Sequence, residues 1–166
     1  MHGTSNDMTA LERAEALCQT RGVQLTPLRR DVLRLVLEAE APIGAYALLD
    51  QLKASRAKAA PPTVYRALDF LLEQGLIHRL ERLNAFMGCN EALEGHGVHH
   101  DHGHDHPHQF LICRGCGMTR EISDHAVAEA IIAAAAKAGF SAARTTVEIE
   151  GYCSKCGDMP RALADN

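Results

Sequence analysis

Pro61-Pro62-Thr63-Val64-Tyr65-Arg66-Ala67-Leu68-Asp69-Phe70-Leu71-Leu72-Glu73-Gln74-Gly75 is the stretch that decides the fold. Pro62 suits the first turn of a helix, where a missing N–H costs nothing, and Gly75 suits the position just past its end. Val64, Ala67, Leu68, Leu71 and Leu72 recur at the spacing of one buried helical face. Arg66, Asp69 and Glu73 then lie opposite, with Thr63 and Tyr65 on the flanks near the N-terminus and Phe70 off the stripe. Helix-turn-helix proteins offer the first residues of such a helix to base edges in the major groove, and Thr63 and Arg66 are suitable donors. Periodicity alone is common to surface helices, so the surrounding chain has to support the assignment.

Upstream, three more helices are predicted. Asp7 can cap one from Met8 to about Thr20, stopped by Gly22. Thr26 followed by Pro27 is a cap and a first-turn proline, opening a helix that places Leu28, Val32, Leu35 and Val36 on one face and stops before Pro42. A third, about Ala45 to Ser55, turns Leu48, Leu49 and Leu52 inward. Downstream, Leu76 to Leu83 alternates like a strand, Asn84-Ala85 can turn, and Phe86 to Cys89 returns as its partner. Helices closed by a hairpin predict a winged helix-turn-helix domain over residues 1–88.

The chain has 166 residues, of which 46% are hydrophobic and 23% charged, so it can bury one core or two small ones and is too short for a large multidomain enzyme. With 4% aromatics and no Trp, the core must be mostly Leu, Ala, Val and Ile. The net charge of −4 divides into +1 over residues 1–83 and −5 over residues 84–166, which permits a local basic surface on the first half only. MHGTSND at the start lacks the basic and apolar regions of a signal peptide, and no apolar run approaches the ~18 residues of a membrane span. A soluble cytoplasmic protein with no membrane partner is expected.

Cysteine and histidine organise the second half. Six Cys in a chain without a secretion signal point to metal or redox chemistry before disulfides. Cys113-Arg-Gly-Cys116-Gly117 and Cys153-Ser-Lys-Cys156-Gly157 are two knuckles, each offering a pair of thiolates to one ion, and Zn²⁺ favours four such ligands in a closed, structural site. The 36 residues between them exceed a simple zinc ribbon and leave room for a helix, capped by Ser123 with Val127, Ala130, Ile131, Ala134, Ala135 and Ala138 on one face, and a strand from about Ala143 to Glu150. With the strands Gln109–Ile112 and Met118–Ile122, the order is ββαβ. A disulfide pair or a redox C-x-x-C is the competing reading. Further candidate ligands are His78, Cys89, Glu121 and the tract from Glu94 to Gln109, which holds seven of the ten His. Within that tract His106 or His108, nearest the strand, is the expected ligand. A site using ligands from both halves would tie their relative orientation to metal.

Residues 61–78, Cys89, the run His106-Pro-His-Gln-Phe-Leu-Ile-Cys113-Arg-Gly-Cys116-Gly117, and Cys153-Ser-Lys-Cys156 together resemble the Fur superfamily of metal-responsive repressors, most of all its zinc uptake regulator branch. The likeness spans about residues 8–157, with the motifs in the family's order. It implies a homodimer of α+β class: an N-terminal winged helix over residues 1–88, a hinge and His-rich loop over 89–108, a small α/β dimerisation and metal-binding domain over 109–158, and a flexible tail over 159–166. It also implies two Zn²⁺ per subunit. Cys113, Cys116, Cys153 and Cys156 match the structural site, and His78, Cys89, His106 and Glu121 match the regulatory one. The long His tract departs from the family's short motif and leaves His104 and His108 as alternatives to His106. Tyr65 and Arg66 would contact DNA. The iron-sensing branch carries a carboxylate near the position of Cys89, so the thiolate favours zinc; a His/Asp iron site would have to draw on Asp101 and Asp105.

The expected function is repression of zinc-uptake genes at a palindromic operator when zinc fills the regulatory site. No enzyme activity and no small-molecule substrate are expected, because a catalytic zinc needs an open coordination position. The alternatives are an iron- or other-metal-responsive regulator of the same superfamily, or a zinc-storage or delivery protein, for which the His tract speaks.

Overall fold

Backbone capping sets the helix starts. The computed structural model describes residues 8–89, 92, 108–143 and 145–157. Helix α1 (Ala10–Thr20) is capped by Thr9, whose hydroxyl accepts from the Glu12 amide while the Glu12 carboxylate accepts from the Thr9 amide at 2.7 Å. This reciprocal box satisfies two orphan donors, so the cap is Thr9 and not Asp7, which lies outside the described residues. Helix α2 (Pro27–Glu38) begins as expected from Thr26, which accepts from the Arg29 amide. Helices α3 (Ala45–Lys53) and α4 (Pro61–Glu73) follow, and the backbone reverses after α4 at Gly75, whose φ of +63° a side chain would resist.

Strands β1 (Ile77–Leu80) and β2 (Ala85–Gly88) pair antiparallel, His78 opposite Met87. β1 is half the length its alternation predicts, because the chain already turns at Glu81–Asn84. Asn84 takes φ 46°, a conformation its short polar side chain tolerates. A bridge absent from any local pattern joins Ile43 to Phe86 through two hydrogen bonds of 2.9 Å, fastening the link before α3 to the wing. Helix α2 packs on α3 and α4, and Val32, Leu33, Leu48, Leu52, Leu68 and Leu71 are fully buried among them. Phe70, off the stripe, is buried as well. Its ring carries the Arg29 guanidinium 3.6 Å above its centre, a cation–π contact that the helical period does not reveal. Cys18 is a core residue, and burial raises its thiol.

The chain divides into two compact units, Met1–His99 and His100–Asn166. The first is the winged helix just described. The second orders its sheet β4-β3-β5, with β3 (His108–Cys113) antiparallel to β4 (Thr119–Ile122) and parallel to β5 (Thr146–Gly151). Helix α5 (His125–Lys137) makes the crossover between β4 and β5. Its cap is Asp124 rather than Ser123, because the Asp124 carboxylate accepts from both the Ala126 and Val127 amides. The buried side of α5 is narrower than the apolar stripe predicts. Ala128 is buried and Val127, Ile131 and Ala135 are half-buried, whereas Ala130, Ala134 and Ala138 face outward, where a methyl group costs little. Gln109, fully buried, donates from Nε2 to the Asp124 carbonyl at 2.8 Å and ties β3 to the start of α5.

Candidate metal centres and nucleic-acid face

The four knuckle cysteines meet because β3 and β5 run parallel in the register Cys113 opposite Gly151, which brings both knuckles to one end of the sheet. The first knuckle is a tight turn: the Gly117 amide donates to the Cys113 carbonyl at 2.9 Å, and Gly117 adopts φ +73°. The second closes in the same way, with the Cys156 amide on the Cys153 carbonyl at 2.9 Å. All four sulfurs lie within 4.8 Å of one another, and Cys116 Sγ stands 3.8 Å from Cys153 Sγ. A disulfide needs ~2.05 Å. A tetrahedral zinc with Zn–S bonds of ~2.3 Å sets its sulfurs about 3.8 Å apart, so the donors present fit that ion.

Electrostatics prepare one thiol of the four and hold another protonated. The Cys153 amide, 3.3 Å from Cys113 Sγ, and then the Cys116 amide pull the Cys113 thiol down to about 6, which makes it a thiolate at neutral pH. Hydrogen bonding with Cys153, followed by burial, pushes Cys156 up to about 12. A cation entering here must displace that proton, so metal uptake weakens as pH falls.

The other sequence-derived metal ligands are distributed over both units. In the first, His78 lies on β1 and Cys89 directly follows β2, its amide donating to the Leu76 carbonyl at 3.0 Å. Both side chains are buried, and the Cys89 sulfur lies within 4.8 Å of an imidazole nitrogen of His78. In the second, Glu121 sits on β4 opposite Phe110 of β3, and His108 opens β3 on the same face. His108 Nδ1 is 3.2 Å from Glu121 Oε1. His104 and His106 lie outside the described residues.

The expected nucleic-acid face is the first two turns of α4. Tyr65 and Arg66 are exposed and Thr63 is half-buried, while Val64, Ala67 and Leu68 point into the core. No side chain caps α4: its first two residues are prolines, which carry no N–H, and the Thr63 and Val64 amides donate to the Ala60 carbonyl at 3.0 and 3.3 Å. Tyr46, in the first turn of α3, is 70% exposed and was not singled out from the sequence. It lines a cleft of about 370 Å³ with Tyr65, Asp69, Arg79 and Phe86. Its signal was weak: one aromatic after Gly44-Ala45, in a helix chosen for its leucines.

A winged helix followed by a strand-rich unit with a four-cysteine cluster is the class that fold and site define. The chain matches the ferric uptake regulator family over residues 20–150. It is 40% identical over 149 residues to the zinc uptake regulation protein of Escherichia coli K12, spanning 90% of this chain and 82% of that one. Its identity to the zinc uptake regulation protein of Mycobacterium tuberculosis H37Rv is 31% over 138 residues, 81% of this chain and 95% of the relative. Among solved structures, a zinc uptake regulator complexed with zinc and DNA superposes with a TM-score of 0.76 at 39% identity, covering 87% of this chain and 91% of that one. Holo XcZur does so with a TM-score of 0.73 at 41% identity, covering 87% and 94%. The chain belongs to the ferric uptake regulator family.

Proposed function

We infer that this protein is a zinc-responsive, DNA-binding transcriptional regulator that represses zinc-uptake genes, working in the cytoplasm as a homodimer on a palindromic operator. The observation that carries this is one chain holding both a winged helix with Tyr65 and Arg66 exposed at the start of α4 and a cluster of four cysteines spaced for zinc. The names of the relatives from E. coli and M. tuberculosis, and a similar structure holding zinc and DNA, support it. No helix among the described residues is long and apolar enough to cross a membrane. On the second unit Ile132, Phe140 and Ile149 expose 47%, 67% and 44% of their surfaces, apolar area that a second copy would cover.

Two Zn²⁺ per subunit are proposed. Cys113, Cys116, Cys153 and Cys156 hold the structural ion, and His78, Cys89, His106 and Glu121 hold the regulatory one, with His104 and His108 as the other candidate imidazoles. Bound zinc supplies a tetrahedral centre that four donors satisfy in one arrangement only. His78 and Cys89 belong to the wing and Glu121 to the following unit, so completing that donor set fixes the pose of each winged helix. It thereby fixes the separation of the two α4 helices in a dimer, which has to match successive major grooves. Cys89, a soft thiolate, selects zinc over iron or manganese. Neither proposed site leaves an open coordination position, so no catalysis is assigned.

Operator binding measured across a zinc titration tests this. Cys89→Ser is expected to remove most of the zinc dependence, a coupling of ~1–3 kcal/mol or roughly 5–150-fold in affinity. Unchanged dependence would take Cys89 out of the switch. Arg66→Ala is expected to lose ~1–3 kcal/mol of operator binding with folding and zinc content intact. Equal affinity of variant and native protein would reject base contact by Arg66.

A further inference from the structure

The pairing of β3 with β4 gives His108 a role of its own. Phe110 stands opposite Glu121, and His108, two residues earlier on β3, shares its face. Diagonal neighbours on one face of an antiparallel pair lie within reach of long side chains. The Nδ1–Oε1 separation of 3.2 Å is the outcome. In the tautomer that carries its proton on Nδ1, His108 donates to this carboxylate oxygen.

We propose that His108 is a positioning residue of the regulatory zinc site: it donates from Nδ1 to Glu121 Oε1 and holds the carboxylate ready to bind the ion, without being a ligand itself. This rests on Glu121 being a ligand, as proposed above. Hydrogen-bonded partners of metal ligands restrict the ligand's rotamers before the ion arrives, and their removal typically weakens metal binding 10–100-fold. The sheet supplies the necessary rigidity, since His108 pairs with Thr146 of β5, Glu121 pairs with Phe110 of β3, and Gln109 next to His108 anchors to the start of α5. The last imidazole of the tract is thereby distinguished from the one that ligates.

The test uses the full chain with its four-cysteine site kept loaded with zinc. Zinc affinity of the regulatory site is read by competition with a chromophoric chelator, and its ligand set by the absorption of Co²⁺ placed there. Asn can place an amide N–H near the position of His Nδ1 but is a poor zinc ligand, so it separates the two roles. His108→Ala is expected to weaken zinc 10–100-fold, and His108→Asn to recover affinity to within about threefold of native. The Co²⁺ spectrum should be the same in all three proteins. In a Glu121→Gln background, His108→Ala should add nothing. Native affinity in His108→Ala, no recovery in His108→Asn, or a changed Co²⁺ spectrum in either would overturn the assignment. Native affinity in Glu121→Gln alone would instead remove Glu121 from the site, and the positioning role with it.

Discussion

Replacing Cys113 and Cys153 together by serine is expected to leave the second unit unable to hold its fold at 25 °C, while the winged helix unfolds as before. The reason lies in what the second unit buries. Among its described residues Phe110, Gln109, Ile112, Cys113 and Ala128 are buried, and of these only Phe110 and Ile112 are large apolar side chains. So small a core supplies little stability, and units of this size commonly depend on a metal or disulfide staple. Structural zinc in finger peptides contributes about 10–16 kcal/mol at neutral pH, as much as the ~5–15 kcal/mol that holds a whole domain together. Removing one thiolate from each knuckle forfeits most of this. Zinc content by mass spectrometry and two-probe thermal unfolding provide the check, with a strong chelator expected to reproduce the variant. A second unit that melts at the same temperature with and without zinc would show that the cluster is dispensable for the fold.

Leu71→Ala is the second large effect. Leu71 is fully buried between α4 and the helices it packs on, and truncation there leaves a cavity that rigid helix packing closes only in part. A loss of about 2–5 kcal/mol in denaturant unfolding of the first unit is expected. Leu83, 42% exposed in the turn beyond β1, is the control, and its truncation should stay within about 0.5 kcal/mol. Operator affinity should fall with Leu71→Ala only in proportion to the unfolded fraction, because the residue faces away from Tyr65 and Arg66. Equal costs at the two leucines would mean that α4 is not seated as described.

Much of the first unit was legible because its signals are local. Thr26-Pro27, the leucine stripe of α4 and the reversal at Gly75 each depend on residues within two turns of one another, and each element formed where these placed it. The errors sit where two local solutions compete. Thr9 displaced Asp7 as cap because Glu12 completes a reciprocal box, and Asp124 displaced Ser123 because a carboxylate accepts from two amides at once. Phe70 and the Ile43–Phe86 bridge were invisible, since Arg29 and Phe86 reach them from other elements.

The cysteines show the same division. Spacing within each knuckle announced a metal pair, because two thiolates three residues apart fit one ion whatever the fold. That the pairs form one cluster was decided by the parallel register of β3 and β5, a contact across almost forty residues. Likewise the sequence identified a run of imidazoles as interchangeable candidates, and pairing of β3 with β4 singled out His108 beside Glu121. Residue type and short-range spacing therefore determined which chemistry this chain can perform. Which atoms share a centre was left to strand register, since hydrogen-bonded pairing joins residues with no relation along the chain.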